Sequence, residues 1–165
     1  MKKFFMIACM MLMSTAMFAQ GKMAVGANVG YAPSIAKEYS PMFFGAKFQY
    51  EFVESFRAEF AANMFTKKDG YGFWDAEFNF QYLIPVGEGL NVYPVAGLAY
   101  VSTTGDGDSE NAFGLNAGAG IEYYVADNIK LNADLKYLSA TKKKDGYKVI
   151  DLGGLTIGLG VAYVF

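Results

Sequence analysis

Along this chain large apolar residues recur at every second position, and small or polar residues occupy the positions between them. That period marks a β-strand with one oily face, because successive side chains of a strand point to opposite sides. In the stretch from Gly153 to Phe165, Leu155, Ile157, Leu159, Val161, Tyr163 and Phe165 alternate with Gly154, Thr156, Gly158, Gly160, Ala162 and Val164. Earlier segments repeat the pattern. The first sets Met23, Val25, Ala27, Val29 and Tyr31 against Ala24, Gly26, Asn28 and Gly30. The second sets Met42, Phe44, Ala46, Phe48, Tyr50 and Phe52 against Lys47, Gln49 and Glu51. The third offers Phe56, Ala58, Phe60, Ala62 and Met64 against Arg57, Glu59 and Asn63. In the fourth, Trp74, Ala76, Phe78, Phe80, Tyr82 and Ile84 alternate with Asp75, Glu77, Asn79 and Gln81. The sixth runs from Phe113 to Val125, and its other face holds Gly114, Asn116, Gly118, Gly120 and Glu122. The seventh sets Ile129, Leu131, Ala133, Leu135 and Tyr137 against Lys130, Asn132, Asp134 and Lys136. The fifth, Leu90 to Ser102, is ambiguous because both its faces are apolar.

The connections between segments fall into two kinds. Val53-Glu54-Ser55, Gly87-Glu88-Gly89 and Ala126-Asp127-Asn128 are short, and each keeps the oily sets of its two arms on one side only if the loop has an odd number of residues. The third position of such a loop favours the left-handed region, which suits Gly89 and Asn128 but not Ser55. The stretches Ala32 to Pro41, Thr66 to Gly72, Thr103 to Asn111 and Ala140 to Asp151 are longer and polar, and read as loops. Short turns at one end and long loops at the other are the asymmetry of an outer-membrane barrel. Both chain ends then lie on the periplasmic side.

The oily face could line a soluble barrel or face lipid. Volume decides between them. The interior of an eight-stranded barrel holds little more than its own side chains, and the oily sets contain too many Phe, Tyr and Trp to fit there. The opposite face is rich in Gly, Ala, Asn and Thr, as a crowded lumen requires. The pattern therefore predicts an all-β fold, an eight-stranded antiparallel up-and-down transmembrane β-barrel. In that arrangement Tyr50, Phe52, Phe56, Tyr82, Tyr123, Tyr163 and Phe165 gather at the periplasmic rim, and Tyr31, Phe44, Trp74, Tyr100, Phe113 and Tyr137 at the outer rim. Amphipathic rings favour both membrane interfaces.

Bulk properties refine this picture. A chain of 165 residues is one domain. Although 53% of it is apolar, no run reaches the ~20 residues that a membrane-spanning helix needs. Lys2 and Lys3, the apolar run from Phe4, and Ala16 to Ala19 predict a signal peptide over residues 1–19, which leaves 20–165 as the barrel domain. Ala8-Cys9 is a poor lipoprotein site, because the apolar core before it is too short. Cys9, the only cysteine, leaves with the signal peptide, so no disulfide is expected. Losing Lys2 and Lys3 leaves 12 of the 14 basic residues against 16 acidic ones, a net charge of −4. That balance does not suit nucleic acid, which needs a basic face.

Candidate chemistry is concentrated on the inward face. Lys47, Glu51, Arg57, Glu59, Asp75, Glu77, Glu122, Lys130, Asp134 and Lys136 are expected to form an ion network in the lumen. Pairing Phe52 with Phe56 puts Glu51 opposite Arg57, and pairing Val125 with Ile129 puts Glu122 diagonal to Lys130. Opposite charges so placed neutralise one another where an unpaired charge would be costly. General acid/base work by Glu59 with Glu77 or Asp75 is the functional alternative, with no nucleophile or metal cluster beside them. The chain has no histidine, which excludes a His-based triad and, without cysteine, a zinc centre. No cofactor is expected. Gly105 to Glu110 could attract calcium but lacks EF-hand spacing, so a solvated acidic loop is the stronger reading. TKKDGY (Thr66 to Tyr71) recurs as KKKDGY (Lys142 to Tyr147), on opposite sides of the barrel mouth. Lys67, Lys68, Lys142, Lys143 and Lys144 could bind lipopolysaccharide phosphates or an anionic surface partner; equally, Asp-Gly makes the turn and the lysines keep the loop wet.

With its leader, eight strands, Gly-rich lumen, aromatic rims and terminal Tyr163-x-Phe165, the chain resembles the small outer-membrane β-barrel family that includes the membrane domains of proteins A and X of enteric bacteria. Gly160-x-x-Tyr163-x-Phe165 is similar to the C-terminal signal read by the barrel-assembly machinery of Gram-negative outer membranes. The resemblance implies a monomeric barrel without an open pore, surrounded by outer-membrane lipid and lipopolysaccharide. Family members serve as envelope anchors, adhesion or recognition surfaces and, occasionally, narrow channels. The expectation is a non-enzymatic barrel with a filled polar lumen and surface loops for envelope integrity or recognition. A narrow porin-like channel for ions or small solutes is the alternative.

Overall fold

The structure, a computed structural model, describes residues 21–33, 35, 40–67, 72–105, 108–144 and 147–165. The expected signal peptide, residues 1–19, lies outside the described residues. Among the described residues there are nine strand segments: β1 (Lys22–Tyr31), β2 (Met42–Val53), β3 (Phe56–Phe65), β4 (Gly72–Tyr82), β5 (Ile84–Gly87), β6 (Leu90–Gly105), β7 (Asp108–Ala126), β8 (Ile129–Lys144) and β9 (Tyr147–Val164). Consecutive strands pair antiparallel except β4 and β5, which both pair with β6, and β1 also pairs with β9. The sheet therefore closes into an eight-stranded barrel in which β4 and β5 are two pieces of one strand. Closure leaves no edge, which lets a sheet cross lipid.

The break between β4 and β5 has a cause in β6. The β4 ladder on β6 ends at Gln81 opposite Val95, and β5 resumes at Ile84 opposite Val92. Pro94 sits in that gap and has no N–H to donate. The Leu83 N–H turns to the other side and donates to the Ser55 carbonyl at 2.7 Å.

Alternation sorts the side chains as the pattern predicts. On β3 and β4 Phe60, Phe78 and Phe80 are exposed, at 52%, 44% and 53%, whereas Glu59, Glu77 and Asn79 are buried. The ambiguity of the fifth segment is resolved by its neighbours. Leu98 pairs with outward Phe78, and Tyr100 with outward Phe113, so Tyr93, Val95, Ala99 and Val101 point inward and are buried. Trp74, Tyr100 and Phe113 form an outward ladder across three strands, with ring centroids 5.8 Å and 5.3 Å apart. Met23 departs from expectation. It belongs to an outward set yet is only 4% exposed, because Tyr50 pairs beside it and Phe165 bonds to it through both backbone groups.

Each short connection is a two-residue turn with the odd residue taken up in an adjacent bulge, at Glu51/Val53, Pro85/Gly87 and Tyr124/Ala126. Gly89 has φ +69°, the left-handed conformation expected of that position. Phe52 and Val125 thus fall at bulges and do not pair with Phe56 and Ile129; Val53 and Ala126 do.

Two of the expected loops are hairpins. Most of Thr103 to Asn111 belongs to β6 and β7, and most of Ala140 to Asp151 to β8 and β9. Ala112, Ala140 and Ile150 bury on the inner side of these extensions, while their polar residues make an extended strand read as a loop.

The lumen is not polar throughout. At the long-hairpin end Phe43, Phe65, Ala99, Val101, Ala112, Leu138, Ala140 and Ile150 meet Ala32 and Ile35, the latter two from the connection between β1 and β2. Ile35 is fully buried, and its carbonyl accepts from the Gly153 N–H at 3.3 Å. This apolar collar seals the mouth.

Candidate functional site in the filled lumen and at the outer mouth

Toward the short turns the lumen is closed by charge. Glu51 stands opposite Arg57 in register, as expected, but the Arg57 ion pair crosses the lumen to Glu122 instead. Arg57 Nη1 donates to Glu122 Oε2 at 2.7 Å, and Arg57 Nε to Gln81 Oε1 at 2.6 Å. Glu122 also takes Lys130, at 3.2 Å, and the Asn91 amide, at 3.1 Å. Lys130 reaches it diagonally, because Tyr124 rather than Glu122 pairs with Lys130 across the ladder. A carboxylate shared by two cations explains the choice. Arg57, Glu122 and Lys130 are each 2% exposed or less, and burying them unpaired would cost several kcal/mol apiece. The more open Glu51 can remain partly solvated.

Tyr93, which the sequence reading did not single out, joins this layer. The Arg57 guanidinium lies 5.1 Å from its ring centroid, and its hydroxyl donates to Asp134 Oδ1 at 2.5 Å. Its ring fits because the paired residue on β7 is Gly120; a methyl group there would lie 2.4 Å from Tyr93 Cζ. The signal was available in sequence, since an outward Tyr100 forces Tyr93 inward.

The middle of the lumen is tied by amides. Glu59 accepts from Gln49, at 2.6 Å, and from Asn79, at 3.2 Å; the same Asn79 nitrogen donates to Glu77 at 3.0 Å. Lys136 forms an ion pair with Glu77. Asn28 donates to Asn63, at 2.7 Å, and Asn63 to Asp75, at 2.8 Å. Glu59, Glu77 and Asp75 are thus brought close, but under amide donors and at most 6% exposed. Lys47 donates to Asn132 Oδ1 at 2.5 Å. Among the described residues no three acidic groups converge as metal ligands.

At the mouth, Lys67 is exposed, while Lys142 pairs with Glu110 of the neighbouring hairpin at 2.5 Å. Lys68, and the side chains of Lys143, Lys144 and residues 105–109, lie outside the described residues. Gly160, Tyr163 and Phe165 sit on the last strand, the two rings outward and stacked with centroids 6.5 Å apart. The remaining rim aromatics also point outward; Phe113 is the most exposed, at 79%.

A closed eight-stranded barrel with an oily exterior and a filled, charged lumen narrows the comparison. The model of the outer membrane protein beta-barrel domain matches residues 5–165. The chain belongs to this family. Among solved structures, this outer-membrane barrel is similar to the N-terminal β-barrel domain of Pseudomonas aeruginosa OprF, at 20% identity and TM-score 0.70, over 88% of this chain and all of that one. It is also similar to Neisserial surface protein A, at 17% identity and TM-score 0.67, over 88% and 97% of the two chains. Ail, the attachment invasion locus protein of Yersinia pestis, in complex with the heparin analogue sucrose octasulfate, aligns at 18% identity and TM-score 0.57, over 88% and 97%. No curated protein matches the sequence.

Proposed function

We propose that this outer-membrane barrel is a non-enzymatic surface protein of a Gram-negative bacterium, whose long hairpins contact anionic polymers or lipopolysaccharide while its lumen stays shut. The observation that carries this reading is the double closure. An apolar collar around Ile35 and Phe43 seals one end, and the Arg57, Glu122 and Lys130 layer seals the other. A solute path would have to break both, so the channel alternative finds no support in the geometry. Recognition then falls to the mouth, where Lys67 is exposed and Lys142 stands at the head of the second lysine tract. A structural relative, Ail, is known in complex with a heparin analogue, which agrees with an anionic ligand for these lysines. Glu59, Glu77 and Asp75 are buried and held by amide and lysine donors, which suits a structural rather than an acid/base role.

In this reading the barrel is a monomer, the rim aromatics meet lipid and lipopolysaccharide at both interfaces, and the barrel-assembly machinery reads Gly160, Tyr163 and Phe165. The short turns face the periplasm. Two measurements test it. Proteoliposomes should be retained on heparin or lipopolysaccharide surfaces and released when Lys67, Lys68, Lys142, Lys143 and Lys144 are replaced by Ala. Retention unchanged by those replacements would overturn the binding role. In planar bilayers the protein should give no steady single-channel current; a steady current altered by Arg57→Gln or Lys47→Met would establish the channel instead. Excising Ala140 to Asp151 is a poor test, because Ala140 and Ile150 belong to the collar.

A further inference from the structure

A small, partly open cavity of about 20 Å³ lies in the lumen beside the seam where the first and last strands meet. Its wall includes Asn28 of β1, Thr156 and Gly158 of β9, Lys47 of β2, and Glu59 and Asp134. We propose that this cavity is a water-binding site, and that its resident water bridges Lys47 of β2 to Asn28 of β1 where β1 meets β9 in the lumen.

Hydrogen-bond arithmetic carries the argument. Lys47 is 5% exposed and has three N–H donors, yet it gives one side-chain hydrogen bond, to Asn132. Asn28 Oδ1 is buried and has no partner. A residue with a spare donor and one with a spare acceptor thus line one space, and each bond left unmade costs free energy. The volume exceeds the 10–15 Å³ that one water needs. Charge chooses the occupant: Lys47 and Lys136 on the wall repel a cation, Glu59 and Asp134 repel an anion, and the balance suits a neutral molecule that both donates and accepts. The seam itself offers little else. Asn28 sends its amide to Asn63 on β3, Thr156 donates to a β8 carbonyl, and Gly158, Gly160 and Ala162 carry no polar side chain.

Crystals of the refolded full chain, grown in sodium chloride and again in rubidium bromide, test the site. Expected is a density peak within hydrogen-bond distance of both Lys47 Nζ and Asn28 Oδ1, with no anomalous signal from rubidium or bromide. Gly158→Ala should shrink the cavity and remove the peak, since the new methyl meets only Phe43 Cζ, at 3.4 Å, and then atoms farther off. Its urea midpoint should fall. An empty cavity in the parent protein, an anomalous peak, or a Gly158→Ala variant that keeps the peak would each overturn the proposal. If the variant does not fold, the two parent crystals decide alone.

Discussion

Lys47 on β2 reaches Asn132 on β8 across the inside of β1 and β9, the two strands that close the barrel. Gly160 makes the reach possible, since a methyl group at that position would lie 2.8 Å from Lys47 Nζ and 2.6 Å from Asn132 Oδ1. Lys47 is therefore a clasp over the seam, and Gly160 its notch. Replacing Gly160 by Val should lower the stability of protein refolded in detergent, where no assembly machinery acts, and Lys47→Met should cost about 1–3 kcal/mol by leaving Asn132 without its donor. Urea titration followed by tryptophan fluorescence measures both. Were Gly160 needed only as part of the assembly signal, Gly160→Val would reduce insertion in cells and leave refolded stability unchanged.

Glu122 neutralises two buried cations, whereas Lys130 is one of two cationic partners of a single carboxylate. The two positions should therefore respond unequally. Glu122→Gln strands Arg57 and Lys130 together and should cost about 3–5 kcal/mol. Lys130→Met leaves the Arg57 to Glu122 pair intact and should cost clearly less. Equal losses in denaturant titrations of the two variants would contradict the shared-carboxylate geometry.

The wall of the barrel was legible in sequence because its rule is local. Period-two alternation sets which way each residue points, and the parity of a short loop carries that choice to the next strand, as at Asp127 and Asn128. What the rule misses is non-local. Register places Glu51 beside Arg57, but the partner is Glu122, on the far side of the lumen, and only closure of the ring brings the two within 2.7 Å. The mouth was misread for a related reason. Lys142 and Thr141 look like loop residues, yet they continue β8 because Ala140 and Ile150 are buried inside the hairpin. The apolar collar likewise needs Ile35, whose burial no periodicity announces.

Asn116 is 2% exposed, and neither its amide oxygen nor its nitrogen has a hydrogen-bond partner. It lies between Gly97 and Leu138, where the polar lumen gives way to the collar. Leucine has the same branched shape without the polar atoms. Replacing both orphaned groups by methyls should remove a desolvation penalty of about 1–3 kcal/mol, so Asn116→Leu should raise the urea midpoint. A lowered midpoint would mean that the amide is satisfied in the folded protein.

The outward residues of β4 give a depth gauge. Phe78 is 44% exposed and lies midway between the rim residues Trp74 and Tyr82, while Trp74 stands near the long-hairpin end of the same strand and packs on Tyr100. In a bilayer, arginine at the hydrocarbon midplane costs about 2–4 kcal/mol, but near an interface only about 0–1. Phe78→Arg should therefore destabilise the lipid-refolded protein by several times as much as Trp74→Arg, with the difference read from guanidinium titrations in vesicles. Each position loses one aromatic contact, Trp74 with Tyr100 and Phe78 with Phe80, so packing loss alone does not set the ordering and lipid depth does. Equal costs at the two positions would mean that this face of β4 does not look into hydrocarbon.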